Sequence, residues 1–316
     1  MLDYTSLFAL AAVVREGSFE RAARALHVTP SAVSQRIRLL EERVGCALVV
    51  RGHPCTATDT GLRLCQHADR VRLLEQDLHD NLPSLAPEGV ARPTLPIAVN
   101  ADSLATWFAP AVAAFAAQAP VLVNVAVDDQ DHTAEWLRSG AVLAAVTAHA
   151  TPATGCNSRP LGAMRYVAAA SPAFVARHFA AGVQAQSLAQ APSLKFNAKD
   201  TLQTRWVQGL CGQHVELPKH TLPSSTAFVT AALAGMGWGL HPEALVAPHL
   251  ATGTLVALVP GTPLDVSLHW QQARATSTWL DGLTRDVVAA ARAALTQDRA
   301  TPPDQRATSV SSNKRT

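Results

Sequence analysis

The sequence predicts an α/β chain in three parts: a small helical head closed by a two-stranded wing, one long helix, and a pair of α/β lobes. Three observations predict it. From Tyr4 to Leu40 the apolar residues recur at helical spacing, three or four apart. A single apolar seam then runs from Leu64 to Leu82 at the same spacings. Beyond Leu95, short β-branched runs alternate with helical stretches, the pattern of a parallel sheet with crossover helices. A chain of 316 residues is also about twice the usual domain length, which favours more than one folding unit.

In the head, Tyr4, Leu7, Phe8, Ala11 and Val14 mark a first helix ended by Gly17, and Phe19, Ala22, Ala23 and Leu26 mark a short second one. The third helix has the clearest start in the chain, with Thr29 as N-cap and Pro30 at the first helical position. Val33, Ile37 and Leu40 face inward, Ser31, Ser34, Gln35 and Arg38 form the opposite stripe, and Gly45 closes the helix. Leu48-Val49-Val50 followed by Arg51-Gly52-His53-Pro54 reads as a β-wing. A slim helix with small polar residues and arginine on one face, after a short crossing helix, fits the reading helix of a helix-turn-helix. It can enter a major groove, offer donors to base edges and hold phosphates. An ordinary amphipathic helix with a solvated polar face has the same pattern. Residues 18–51 carry six arginines against three acidic residues, a local surplus hidden by the net charge of +2.

Thr58 caps the long helix, Asp59 to about Leu82, whose seam is Leu64, Ala68, Val71, Leu74, Leu78 and Leu82. With nothing of its own chain to pack on, this seam requires a partner helix and hence a dimer. Residues 83–89, rich in proline, read as a linker. Strands at Leu95–Val99, Val121–Val127 and Val142–Thr147, with helices at Ser103–Gln118 and Thr133–Ser139, make a βαβαβ unit. A second set has a strand at Tyr166–Ala170, a helix at Pro172–Phe179, a strand at Leu194–Phe196 and a helix at Leu202–Cys211, continuing through Thr226–Ala234 and Gly237–His241. The strand Leu264–Trp270 and the helix Thr278–Thr296 close the chain. Two lobes fit this better than one large sheet. The expected boundaries are a head at 1–58, the long helix at 59–82, a hinge at 83–93 and the lobes at 94–297. The first lobe covers about 94–163 and 265–297, the second about 164–264, and the tail 298–316 is expected to be disordered.

Composition narrows the function classes. Hydrophobic residues at 48% against 16% charged exclude a disordered chain. Basic and acidic residues balance within 1–82 and again within 83–297, so a nucleic-acid partner must be argued from a local face. The first residues carry no basic n-region, and Arg15 and Glu16 interrupt the apolar pattern, so no signal peptide is expected. The uncharged stretch from Ser103 to Val127 is broken by Pro110, Gln118, Pro120 and Asn124, whereas a membrane span needs about 20 apolar residues in a row. The expectation is a cytoplasmic protein with no membrane partner. Cys46, Cys55, Cys65, Cys156 and Cys211 form no C-x-x-C pair, and an odd count argues for reduced thiols. Cys211 with His214, or Cys55 with Cys65 and His67, lack a second ligand pair at zinc spacing, so neither a metal nor a cofactor is expected. No G-x-S-x-G, H-E-x-x-H or P-loop motif is present, which argues against an enzyme. Gly235-x-Gly237-x-Gly239 follows a helix and precedes a strand, the wrong order for a dinucleotide loop, and reads as a helix end and tight turn.

Phe19-Glu20-Arg21-Ala22-Ala23, the run from Ser31 to Glu41, and Thr58 with Gly61 resemble the winged helix-turn-helix of LysR-type transcriptional regulators. The seam helix and the two lobes are similar to that family's linker helix and periplasmic-binding-protein-like effector domain, so the resemblance covers residues 1–297. The runs Val99–Trp107 and Val127-Asp128-Asp129 resemble the ArgP/LysG branch, which senses lysine and arginine and controls amino-acid export and metabolism genes. The resemblance implies a regulator without catalytic activity that binds a double-stranded DNA operator and a basic amino acid. It also implies a homodimer through the linker helices, assembly to a homotetramer, and contact with RNA polymerase. Its DNA contacts would be Thr29, Ser31, Ala32, Ser34, Gln35, Arg36 and Arg38, with Arg51 and His53 on the wing. The wing departs from the branch: Pro54 is followed by Cys55-Thr56-Ala57 with no second basic residue. Fewer phosphate contacts follow, and the operator sequence does not carry over.

The effector site can be argued from physics as well. Ligands in open α/β sheets sit beyond the carboxyl ends of parallel strands. Val99 and Val127 end two such strands, which places Asn100–Ser103 and Asp128-Asp129 on one edge, together with Trp107 and Thr147. Ser103 opens a helix whose free N–H groups favour a ligand carboxylate. Asp128 or Asp129 can then hold an ammonium or guanidinium. Ser224-Ser225, before a second-lobe helix, is the counterpart across the cleft. The plain alternative is that Asp102 and Ser103 only cap a helix and the aspartates only make a turn. Three rivals stand beside the regulator reading. A solute-binding module without DNA function predicts a signal peptide and no capped helix at Thr29-Pro30. An enzyme requires a nucleophile–base or metal set that the sequence does not assemble. The same scaffold with a different small-molecule effector is the third.

Overall fold

The computed structural model describes residues 3–82, 92, 94–119, 121–128, 136–137, 141–274 and 278–297, with Gln76, Asp77, His79, Asp80, Asn81 and Asp128 described by their backbone. The expected hinge apart from Arg92, most of the expected helix at 133–139, Asp129 and the expected tail lie outside the described residues.

Three helices build the head: α1 (Tyr4–Glu16), α2 (Phe19–Ala25) and α3 (Pro30–Val44). Each starts at a side-chain cap. Asp3 accepts from the Thr5 N–H, Ser18 from Arg21 and Thr29 from Ala32. Leu7, Leu10, Ala22, Ala23, Val33, Ile37 and Leu40 meet in one buried core. The wing is β1 (Val49–Val50) paired antiparallel with β2 (Thr56–Ala57). Glu41, near the end of α3, fastens it by accepting the Leu48 N–H at 2.8 Å and the Val49 N–H at 3.4 Å.

The long helix α4 (Asp59–Asn81) begins at Thr58, whose hydroxyl accepts the Gly61 N–H at 3.1 Å and donates to the Ala47 carbonyl at 2.9 Å. A Cβ on Gly61 would stand 2.0 Å from the Leu48 carbonyl oxygen, so only glycine fits where the helix crosses the wing. The expected seam divides in two. Ala68 is fully buried in the head core and Leu64 packs against it, beside Cys65. The first half of the helix therefore does have its own chain to pack on, because it lies along α1; Arg72 stacks over the Phe8 ring at 4.7 Å. Only Leu74, Leu78 and Leu82 remain open, 52%, 50% and 47% exposed. Leu73, off the seam, is buried against the lobe core. Burial pushes the Cys65 thiol up to about 12, which makes it a core side chain and a poor nucleophile.

The first lobe opens with β3 (Thr94–Asn100), parallel to β4 (Leu122–Asp128) and to β5 (Ala144–Thr147). Between β3 and β4 runs one helical stretch rather than the single regular helix expected at 103–118. It is α5 (Ala101–Ser103), a π-helical turn at Leu104–Phe108, and α6 (Ala109–Ala116). Pro110 has no N–H to return to the Thr106 carbonyl, so the regular ladder cannot pass that point. The helix starts at Ala101 after Asn100, and Ser103 is its third residue rather than its first.

The strand expected at Tyr166–Ala170 is much longer, β6 (Cys156–Ala170). The second lobe follows with α7 (Pro172–His178), α8 (Ala185–Leu188), β7 (Ser193–Lys195), α9 (Leu202–Cys211), β8 (Lys219–Thr221), α10 (Ser225–Leu233), β9 (Gly239–Pro242), α11 (Glu243–Ala251) and β10 (Val256–Ala257). Then β11 (Leu264–Ala273) returns antiparallel along β6, from Leu264 opposite Tyr166 to Ala273 opposite Cys156, and α12 (Thr278–Ala294) covers the first lobe. This long pair changes the expected layout. Both lobes hang from β6 and β11, and the ladder runs continuously in the order β10-β6-β11-β5-β3-β4, with β9 on the other side of β6. The expected boundary near 163 thus falls inside a strand. The glycine run behaves as expected: Gly235 takes φ +74 just past α10, and the Pro192 carbonyl lies 2.9 Å from where a Gly237 Cβ would stand.

Candidate functional sites

The outer face of α3 is the first site. Ser31, Gln35 and Arg38 are exposed, Ala32, Ser34 and Arg36 half-buried, and the inward stripe is buried as the periodicity requires. Thr29 is occupied as a cap, and its hydroxyl also lies 3.0 Å from Ser31 Oγ. Arg38 donates to Glu42 at 2.9 Å, an exposed pair one turn apart. Such a pair is worth about 0.3–0.5 kcal/mol, so a phosphate competes for this arginine readily. On the wing, Arg51 and His53 are exposed, and the Arg51 guanidinium sits 5.4 Å from the Phe19 ring centroid, which turns it toward the start of α2. The outer face of α3 offers hydroxyl, amide and guanidinium donors, and the wing adds an exposed guanidinium and imidazole.

The second site is the cleft at the carboxyl edge of the first lobe. Asn100 pairs with Asp128 in the parallel register of β3 and β4, and the β3–β5 register carried on from Ala98 opposite Ala145 brings Thr147 to the same level. Asn100, Ser103 and Thr147 are buried. Thr147 uses its hydroxyl to accept the His149 N–H at 3.2 Å. Ser103 is 0% exposed, and among the described residues its hydroxyl has no hydrogen-bond partner. The same holds for the indole N–H of Trp107, one turn further along the helix. Buried polar groups without a partner cost about 1–3 kcal/mol each, so two of them one turn apart on the same helical stretch call for an explanation.

Asp102, passed over in the sequence as a plain cap, is the cleft's organising group. Its carboxylate accepts from Tyr166 Oη on β6 at 2.8 Å and from Ser225 Oγ on α10 at 2.6 Å. Ser225 therefore does face the first lobe, as expected. Ser224 does not take that role: its hydroxyl caps α10 by accepting the Ala227 N–H at 3.3 Å. Tyr166 carried no signal in the sequence, since a mid-strand tyrosine reads as core until the strands cross. Asp129 lies outside the described residues, and Asp128 is placed by its backbone alone. Among the described residues no group of three or more His, Cys, Asp or Glu side chains could hold a metal ion, and all five cysteines are free. Among them, too, no helix is long and apolar enough to cross a membrane.

A winged helix-turn-helix joined through a long helix to a two-lobed cleft defines a class of protein: a regulator that reads DNA with one part and binds a small molecule with the other. Residues 4–62 match the family model for the bacterial regulatory helix-turn-helix protein of the lysR family, and residues 88–296 match the LysR substrate binding domain. The chain belongs to the LysR family of transcriptional regulators. It is similar to the HTH-type transcriptional regulator ArgP of Pseudomonas aeruginosa, with 48% identity over 92% of this chain and 96% of that protein. Its fold is similar to the crystal structure of ArgP from Mycobacterium tuberculosis, at TM-score 0.79 and 43% identity, covering 94% of this chain and all of that one. It is also similar to full-length LysG from Corynebacterium glutamicum with bound effector Arg, at TM-score 0.66 and 36% identity over 93% of this chain and 100% of that chain. These relatives are regulators, not enzymes.

Proposed function

We propose that this protein is a cytoplasmic transcriptional regulator that binds double-stranded operator DNA as a homodimer, or a tetramer of two such dimers, and responds to lysine or arginine. Residues 1–58 with α4 form its DNA-binding and dimerisation part, and residues 94–297 its sensor. Gln35 reads base edges while Ser34 and Arg38 hold phosphate, because a helix in the major groove presents its outer stripe to the bases and its flanks to the backbone. RNA polymerase is the further partner such a regulator meets at a promoter.

The observation that carries the sensor reading is the buried hydroxyl of Ser103, without a partner among the described residues, in the first turn of a helix, where free N–H groups favour an anion. An amino-acid carboxylate supplies what that hydroxyl lacks. Asp128, the register partner of Asn100, ends β4 on the same edge, and it or the next residue in the sequence, Asp129, gives a cationic side chain its counter-charge. The bound arginine named for the Corynebacterium glutamicum LysG structure supports the choice of ligand class.

Calorimetry on the full chain tests this. Arginine and lysine should bind well ahead of norleucine, and ligand at ~100 times Kd should stabilise the fold by about 2.7 kcal/mol. Ser103→Ala should weaken both amino acids by about 1–3 kcal/mol, while Asp128→Asn or Asp129→Asn should erase the preference over norleucine. Absence of binding to either basic amino acid would overturn the effector assignment and leave a regulator with a different small molecule.

A further inference from the structure

A second pocket opens on the first lobe, outside the cleft. It encloses about 570 Å³ between residues 156–160 at the start of β6, Ala150 and Pro152 of the preceding loop, His269 on β11 and Arg274 just past it. Gln271, fully buried, pins that loop: it donates to the His149 and Thr151 carbonyls at 2.8 and 2.9 Å and accepts the Ala153 N–H at 2.9 Å. His269 stands opposite Thr147 in the ladder, but Cys156 and Ala273 pair near the other end of the sheet, where the Ala273 N–H donates to the Leu143 carbonyl. Asn100, Asp102, Ser103 and Ser225 do not line this pocket. Neither does any acidic residue. Arg159 and Arg274 are exposed, and among the described residues neither guanidinium has a carboxylate partner. Two further atoms of the lining, Ser158 Oγ and His269 Nδ1, are buried without a hydrogen-bond partner among the described residues. Water serves one such atom well, but two uncompensated guanidiniums beside them make this a place for an anion. Burial raises the Cys156 thiol, and Arg274 and Arg70 of the long helix pull it back, so α4 adds positive charge to this side of the lobe.

From the two arginines, the hydroxyl and the imidazole that line it, we infer that this pocket binds a phosphate group, free or as the monoester of a small molecule. It is a second ligand site that needs none of the residues of the cleft. Each guanidinium can hold two oxygens of an oxyanion at once. The Ser158 hydroxyl and, in one tautomer, the His269 Nδ1–H add single donors. A carboxylate has two oxygens for this set, whereas a phosphate monoester offers three and carries about −1.5 to −2 charges at pH 7, enough to balance both arginines.

Calorimetry on the full-length protein with inorganic phosphate, glycerol 3-phosphate and succinate, at an ionic strength held constant with chloride, tests this. The wild type should bind at least one of the phosphates saturably and about tenfold or more ahead of succinate. The tighter of the two phosphates tells a free ion from an ester. Arg159→Gln and Arg274→Gln should each weaken that ligand by about tenfold to a hundredfold, the worth of a charged hydrogen bond, and Ser158→Ala by about threefold to tenfold. Melting temperature without ligand and operator affinity measured without phosphate should stay as in the wild type, since both arginine side chains are exposed and lie outside the head. Arg159→Lys and Arg274→Lys, which keep the charge but lose the fork, replace Gln where that variant does not fold and should still weaken binding. No saturable binding of either phosphate at millimolar concentration would overturn the inference. So would succinate binding as tightly as phosphate, or phosphate binding that survives both arginine substitutions and is therefore held by the head.

Discussion

Replacing Leu74 and Leu78 together by Glu should convert the proposed dimer into monomers. Leu74, Leu78 and Leu82 lie four residues apart at the end of α4 and are each about half exposed in the single chain. Burying a whole leucine side chain is worth about 1.5–3 kcal/mol, so covering the open half of each contributes about 1 kcal/mol. Three leucines from each of two protomers give roughly 6 kcal/mol, about four decades in the dissociation constant. Two glutamates per protomer remove about two-thirds of this and set carboxylates against one another, so the dimer should weaken by at least about a thousandfold. Light scattering across micromolar concentrations reads the mass, and an operator titration reads the loss of paired half-site binding. The chain's own fold should survive, since Leu64 and Ala68, not these leucines, pack into the head. A dimer of unchanged mass with an unchanged melting temperature would refute the reasoning and place the interface elsewhere.

On DNA, Gln35→Ala should cost about 1–3 kcal/mol on the operator only, whereas Arg38→Ala should weaken all DNA alike and lower the salt slope by about 0.9. Equal losses for Gln35→Ala on operator and random DNA would show that it reads no base. Gly61→Ala forces a methyl against the Leu48 carbonyl and should cost about 1–3 kcal/mol locally. Operator binding should fall while arginine binding in the lobes persists, and an unchanged operator affinity would count against the close contact. His241 is fully buried, and burial lowers its pKa from 6.5 to about 4. Above pH 6.5 both folded and unfolded chains hold a neutral ring, and between 6.5 and 4 only the unfolded chain takes the proton. Stability should therefore drop as pH falls through that window, by about 3 kcal/mol in all. His241→Leu should flatten the slope of denaturation midpoint against pH, and an unaltered slope would assign it to other groups.

The head was legible in the sequence almost residue by residue. Helix caps, glycine stops and the inward stripe Val33, Ile37 and Leu40 are local properties, decided within one or two turns, so the chain announces them directly. The carboxyl edge was legible for a similar reason: strand ends and the parallel pattern put Asn100 and Asp128 on one edge, and the register pairs them. The split of the seam was not. Whether Ala68 or Leu74 meets its own chain depends on the angle at which α4 leaves the wing, which Gly61 and the Leu48 carbonyl set by contact. The continuous sheet was hidden because the pairing of β6 with β11 joins segments about a hundred residues apart, and strand propensity records no partner. The cleft's central carboxylate was hidden for the same cause. Asp102 in the sequence is a helix-start acid like many others, and only the crossing of β6 and the approach of α10 bring Tyr166 and Ser225 to its two oxygens. Local chemistry is written in neighbouring residues, while a hydrogen bond between distant ones exists only once the chain has closed.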